Sequence, residues 1–292
     1  MERCFAKFEE EIILATEGTE RNRSEKIIDL SVVIITYNAL PLLRRCVESV
    51  RSTVRKISYE IIVIDNGSAD GTADWLREHK EIRAIYNPCN RGVAPARNQG
   101  LMAAQGKYFL ILDVDTEVQQ YALDTLVWEM ESRPKVGLGA PMLVGADGSL
   151  QHTCRRYPTI FSKLYRRIPF SFAEKKLEEE LLKDWDHGSA REVDYVIGAC
   201  QIIRREASNQ VGLLDDKIFY GPEDIDYCLR MWKAGWKVMY FSAARVKHLE
   251  QRITRRLLST VTLRHALGLV HFFWKYKYLT NTRKLPGAER QF

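Results

Sequence analysis

The sequence predicts an α/β fold, with a mostly parallel central sheet flanked by helices and a C-terminal helical extension. Three observations carry this expectation. Apolar strand-like runs alternate with helical stretches from residue 30 onward, the pattern of βαβ units. The run Tyr108 to Leu112 is continuously apolar, as expected of a parallel strand buried on both faces. It closes on Asp113 and Asp115, at the strand end where open α/β sheets hold ligands.

Residues 1–29 read as an N-terminal extension: a short mixed helix candidate, then a polar stretch from Thr16 to Glu25 without periodicity. Leu30 to Thr36 is strand-like and Leu40 to Val50 amphipathic; Tyr59 to Asp65 is strand-like and Gly71 to His79 helical. Ile82 to Tyr86 follows as a strand, Val93 to Gln105 as a helix, and Tyr108 to Leu112 as a strand. A helix over residues 120–132 is stopped by Pro134, and Val136 to Val144 is a strand ended by the turn Ala146-Asp147-Gly148-Ser149. Residues 151–192 lose the alternation; Val193 to Arg204 resumes it. A helix follows Gly221-Pro222, Trp236 to Phe241 is strand-like, and residues 254–278 form a basic amphipathic helix.

With 292 residues, 46% hydrophobic and 28% charged, the composition is that of a globular protein with a sizeable core. Six scattered cysteines without C-x-x-C spacing argue against a zinc site or disulfide framework and for a reducing cytosol. Glu9, Glu10 and Glu11 interrupt any signal-peptide core, and no apolar run approaches the ~20 residues that span a bilayer. The expected location is therefore cytoplasmic. Of the net charge of +6, residues 251–292 contribute nine basic residues and one acid, a patterning that concerns partners rather than fold.

The loops at strand ends carry the chemistry. Asp113 and Asp115 are either oxygen ligands suited to a hard divalent ion, which in turn holds phosphate, or two solvated loop aspartates. Asp65-Asn66-Gly67-Ser68-Ala69-Asp70-Gly71 follows a strand and opens a helix; it suits a nucleoside or is an ordinary turn with Asp70 capping the helix. Thr36-Tyr37-Asn38 sets an aromatic beside polar groups, suited to a base or simply a polar loop. Arg97 either approaches a diphosphate or pairs with a helix neighbour. Glu223, Asp224 and Asp226 fall in the first turn after Pro222, a place acids take for dipole reasons alone or where the dipole keeps a carboxylate ionised and fit for general-base work. His248 is structural or a metal ligand, depending on whether the fold brings it to Asp115. G-x-G-x-x-G is absent, and Gly106-Lys107 precedes a strand and lacks the following Ser/Thr of a P-loop.

Taken in order, the segments Ser31 to Asn38, Ile62 to Thr72, Asn90 to Asp115, and Gly198 through Gly221-Pro222-Glu223-Asp224-Ile225-Asp226 to His248 resemble glycosyltransferase family 2, and the wording near Asp65-Asn66 and Glu223 to Asp226 resembles its bacterial rhamnosyltransferase-like branch. The resemblance implies a Rossmann-like GT-A domain over residues 30–250, with a nucleotide-sugar half (30–118) and an acceptor and catalytic half (119–250). It implies that Thr36, Tyr37, Asn38 and Asp65, with Asn66 and Arg97, face the donor, and that Asp113 contacts its ribose or sugar. It implies Asp115, with His248, as ligands of Mg²⁺ or Mn²⁺, Asp224 as the base, and Glu223 and Asp226 as acceptor contacts. One departure is Val114, where many relatives have a third acid.

The implied activity is inverting, metal-dependent sugar transfer from a nucleoside diphosphate to a saccharide or lipid-linked acceptor in bacterial surface polysaccharide assembly. The alternatives are an inactive donor-binding scaffold subunit and, more remotely, a nucleotidyltransferase. Arg155, Arg156, Arg166 and Arg167 are placed to meet an anionic acceptor or to be solvated. The C-terminal helix suits either an anionic membrane surface or packing on the domain; no motif supports nucleic acid.

Overall fold

The computed structural model describes residues 28–160, 171–249, 260–277 and Leu285; the extension before residue 28, Arg166, Arg167 and the rest of the C-terminal tail lie outside this range. Strand β1 (Leu30–Thr36) has parallel neighbours on both sides, β2 (Tyr59–Asp65) and β4 (Tyr108–Asp113), with β3 (Arg83–Tyr86) outside β2. The chain thus winds outward through β2 and β3, then returns to the other side of β1 for β4. That reversal makes the β1/β4 gap a topological switch point, with a crevice at the carboxyl ends of the strands.

Beyond β4 the sheet turns mixed. The order is β3-β2-β1-β4-β11-β6-β12-β5 in a sheet of 10 strands. Here β5 is Thr116–Val118, β6 Val136–Val144, β11 Cys200–Arg204 and β12 Lys237–His248. Strand β11 runs antiparallel to both β4 and β6, while β12 is parallel to β6 and antiparallel to β5. Two short strands pair at the margin: β7 (Leu150–Gln151) with β6, and β9 (Arg191–Glu192) with β12. Strands β8 (Cys154–Arg155) and β10 (Tyr195–Val196) form a separate ribbon.

The period-two alternation of β1 sends Leu30, Val32 and Ile34 to one core and Val33 to the other. On the first face lies α1 (Leu40–Thr53), whose Leu43, Cys46, Val47 and Val50 recur at helical spacing and are buried. It is joined there by α2 (Thr72–Glu78) and α4 (Ala122–Glu131). The other face carries α3 (Val93–Ala103), α6 (Arg205–Val211), α7 (Glu223–Lys233) and α8 (Thr260–Tyr276). Helix α3 sits so close to the sheet that a side chain at Gly100 would collide with Val33 and Ile64. Helix α5 spans Ser171–Glu180.

One expectation is revised, and two stretches read only coarsely gain detail. Within Val193 to Arg204 the chain leaves the ribbon after Val196, passes Gly198 and enters β11 at Cys200. The strand expected to end at Phe241 continues to His248, across a register shift between Phe241 and Arg245; such an irregularity disguises a strand by breaking its alternation. Residues 151–192 hold α5 and several two-residue strands, too short to show periodicity.

Candidate functional site

The parallel register decides which side chains meet. Thr36 stands opposite Asp65, and Ile35 opposite Asp113, so the polar ends of β1, β2 and β4 arrive at one rim. The loops beyond are stitched together. Asn38, at a φ of 50°, accepts at Oδ1 from the Ala69 amide (2.8 Å) and donates its own amide to Ser68 Oγ (2.9 Å). Ser68 N–H donates to Asp65 Oδ1 at 2.9 Å. Asp70 accepts from Leu40 N–H at the start of α1 and from Thr72 N–H and Oγ1 at the start of α2, so one carboxylate serves both helix N-termini. Tyr37 is left half-exposed above this rim, while Thr36 and Asp65 are buried in its floor.

Asn66 differs from its expected donor-facing role. It is buried; its Nδ2 donates to Asn90 Oδ1 and Gly92 O, and its Oδ1 accepts from Asn87 Nδ2 and the Arg91 amide. With these groups satisfied it holds the loop before α3 in shape instead of presenting an amide outward.

Asp113, Asp115 and His248 converge, with one ligand atom from each lying within 4.8 Å of the others. The pairing of β12 with β5 is responsible: His248 stands opposite Thr116, and Leu249 N–H donates to Asp115 O at 2.8 Å. His248 Nε2 is 3.5 Å from Asp115 Oδ1, while its Nδ1 lies 2.8 Å from Gln151 Oε1. Gln151 Nε2 returns a hydrogen bond to His248 O at 2.9 Å. An amide oxygen can only accept, so it fixes the proton on Nδ1 and turns the Nε2 lone pair toward the carboxylates. Two carboxylates and an oriented imidazole fit a divalent cation by donor chemistry.

Arg97 corrects a second expectation. Its side chain is 4% exposed, and the guanidinium is committed to protein groups: Nη2 to Asp113 Oδ1 (2.7 Å) and Gly198 O (2.8 Å), Nη1 to Glu223 Oε1 (3.1 Å). It is a clamp behind the site rather than a diphosphate contact. Glu223, also buried, accepts from the Gly221 amide through Oε2. Burial pushes its carboxyl up to about 8, with Arg97 pulling down and Asp224 pushing further up.

The three acids of α7 therefore have three fates. Glu223 is used by Arg97. Asp226 is fully buried; its Oδ2 accepts from Arg230 (2.8 Å) and its Oδ1 from Lys275 and Tyr276 (both 2.7 Å). These two depart from the acceptor contacts expected of them: Asp226 anchors α8 to α7, and Glu223 braces the clamp. Asp224, partly exposed, accepts at Oδ2 from Gly198 N–H (3.2 Å) and at Oδ1 from Ile225 N–H (2.7 Å). Pro222 caps α7, and Glu223 is its first residue.

A family model for glycosyl transferase family 2 matches residues 31–212. The chain belongs to this family. This glycosyltransferase is 28% identical over 248 residues to the N-acetylglucosaminyl-diphospho-decaprenol L-rhamnosyltransferase of Mycobacterium tuberculosis, covering 78% of each chain, which agrees with the rhamnosyltransferase-like branch read from the sequence. It is 30% identical over 223 residues to the pre-mycofactocin glycosyltransferase of the same organism, covering 75% of this chain and 42% of that one. Among solved structures it resembles GalNAc-T7 with UDP, GalNAc and Mn²⁺ (TM-score 0.64, 22% identity, 87% of this chain and 49% of that one). It also resembles the mannosyltransferase PcManGT of Pyrobaculum calidifontis with GDP-Man and Mn²⁺ (TM-score 0.55, 20% identity, 87% and 65%). These likenesses establish the GT-A fold.

The glycosyltransferase fold also supplies residues that sequence reasoning missed. Gln151 lies in a stretch without pattern, yet it orients His248 from 97 residues away. Tyr220 stands in the loop before α7; burial and the nearby Glu223 and Asp113 carboxylates push its hydroxyl up to about 12. Gly198 offers both its carbonyl to Arg97 and its amide to Asp224. Of the arginines proposed for an anionic acceptor, Arg155 is partly buried within the field of Asp224 and Arg156 is exposed.

Proposed function

We propose that this glycosyltransferase transfers a sugar from a nucleoside diphosphate to a lipid-linked saccharide with inversion at the anomeric carbon, in bacterial surface polysaccharide assembly. The observation that supports this most is the single rim shared by the Asp113–Asp115–His248 cluster and the Asp224 carboxylate, which are joined through Arg97 and Gly198. The relative from M. tuberculosis is named for a diphospho-decaprenol acceptor, and the two solved structures contain UDP or GDP-Man.

In this reading Tyr37 packs on the base, while Asp65 and the Asn38 loop line the nucleoside end. Asp113, Asp115 and His248 would hold a divalent cation, which when bound supplies positive charge beside the departing diphosphate. Asp224 takes the proton of the attacking acceptor hydroxyl, a contribution of ~10²–10⁴-fold. Its two backbone donors, Gly198 and Ile225, fix the carboxylate's orientation before the acceptor arrives. Arg155, within the field of Asp224, would meet the anionic part of the acceptor. The imidazole in the ligand set favours Mn²⁺ over Mg²⁺, which prefers oxygen ligands alone.

The test is release of nucleoside diphosphate from a panel of nucleotide sugars with Mn²⁺ or Mg²⁺, comparing wild type with Asp224→Asn. Turnover that survives this substitution overturns the base assignment. No turnover from any donor, with donor binding intact, supports instead a donor-binding scaffold.

A further inference from the structure

Helix α8 has two apolar faces, and among the described residues only one packs into the core. Phe272 and Phe273 are buried in the core beside α7, as expected for the inner face of an amphipathic helix. On the opposite side Leu263, Leu267, Val270 and Trp274 are 64%, 60%, 67% and 77% exposed. Their spacing of four, three and four places them on one narrow stripe, roughly 16 Å long. A contiguous stripe of large apolar side chains is unlike scattered surface leucines and marks an interaction surface.

Charge selects the partner. Exposed Arg264 lies on this helix and exposed Lys277 follows its last residue, and the helix lies in the segment 251–292, with nine basic residues and one acid. No helix among the described residues is long and apolar enough to cross a membrane. An apolar stripe with a basic surround, ending in a tryptophan, suits a helix lying in the interface of an anionic bilayer.

The position of α8 gives the contact a purpose. Arg264 lies over the Phe219 ring (3.8 Å to its centroid), and His265 faces Tyr220 edge-on. Gly221, at φ +131°, lies so close to His265 that a side chain there would collide with it. The loop from Phe219 to Pro222 is thus packed between α8 and the start of α7, where Asp224 stands.

We infer that the exposed stripe of α8 docks this enzyme on an anionic lipid surface, holding the Asp224 side of the site next to the membrane. The inference deepens the reading of a lipid-borne acceptor, but its test is independent of turnover. Full-length protein is sedimented with phosphatidylcholine vesicles with and without phosphatidylglycerol, at low and high salt and without donor or acceptor. Binding is expected to the anionic vesicles and to weaken with salt. The combined variant Leu263→Gln, Leu267→Gln, Val270→Thr, Trp274→Gln is expected to bind at least ~10-fold less with an unchanged thermal midpoint, because these side chains hold nothing in the core. A blue shift of tryptophan emission on adding vesicles, absent in Trp274→Phe, is the second expected sign. Equal vesicle binding by the stripe variant overturns the inference. So does a wild type that ignores anionic vesicles but forms a concentration-dependent dimer lost in the stripe variant, which would assign the stripe to a second copy. Vesicle binding without sugar transfer from any donor would leave the docking standing and count against the proposed reaction.

Discussion

Arg97 donates to Glu223 at 3.1 Å across 126 residues of chain, and with its other nitrogen holds Asp113 at 2.7 Å. One buried guanidinium therefore ties the end of β4 to the start of α7, the two places from which the donor and acceptor chemistry would come. The planar guanidinium holds the two carboxylates in one fixed relative geometry.

Replacing Arg97 with alanine leaves the buried Glu223 carboxyl and the Gly198 carbonyl without this donor, at a cost of about 1–3 kcal/mol. Arg97→Lys keeps the charge but cannot span both carboxylates and the Gly198 carbonyl, so it should recover part of the stability and little of the activity. Urea unfolding together with kcat for both variants checks this. Wild-type activity in Arg97→Lys would show that the fork is dispensable.

Gln151→Ala frees the His248 ring to change tautomer and orientation. Mn²⁺ affinity, measured by titration of the free protein without substrate, should fall roughly 10–100-fold, the usual effect of losing a group behind a metal ligand. Gln151→Glu, which keeps an acceptor on Nδ1, should retain most of the affinity. If Gln151→Ala binds Mn²⁺ as the wild type does, the orienting role is wrong.

Asp224 and Asp226 stand two residues apart and should behave in opposite ways. Asp224→Asn is expected to fold normally and lose ~10²–10⁴-fold in kcat. Asp226→Asn removes the buried charge shared by Arg230, Lys275 and Tyr276 and should lower stability by about 2–4 kcal/mol, with the remaining folded protein still active. Thermal unfolding and single-turnover rates on both variants separate the two roles.

The attachment of α8 should depend on acid. Asp215 accepts from Lys275 at 2.6 Å and from His271 at 3.1 Å. Burial opposes its charge, but the Lys275 and His271 hydrogen bonds outweigh it and hold the carboxyl down at about 2, from an ordinary 3.8. A depressed carboxyl stabilises the folded state fully above its unfolded value and stops doing so as pH falls through the folded one. The stability gap between wild type and Asp215→Asn, about 2 kcal/mol above pH ~4, should close toward pH ~2. Denaturant unfolding across that range measures it; a gap independent of pH would refute the assignment.

Much of the fold was legible because its determinants are local. Leu30–Thr36, Tyr59–Asp65 and Val136–Val144 are strands at the bounds the pattern indicates, and α3 starts at Val93 as expected. The breaks came where local pattern fails: at the shift after Phe241 in β12 and around Gly198, where tertiary pairing overrides an apolar run.

For the site, the division follows the range of the interactions. The alternating α/β frame, the acids at the end of β4 and the start of α7, and membership of the family are legible in the residues alone, because periodicity and motif order are written along the chain. It takes the folded chain to show that His248 meets Asp115, that Gln151 backs His248, that Arg97 and Asn66 face inward, and that Asp226 anchors α8 while Asp224 stays at the rim. These outcomes depend on which strand lies beside which, and on which side chains burial forces into pairs. Neighbours in sequence such as Asp224 and Asp226 carry the same chemistry until the fold leaves one at the rim and buries the other against three side-chain donors.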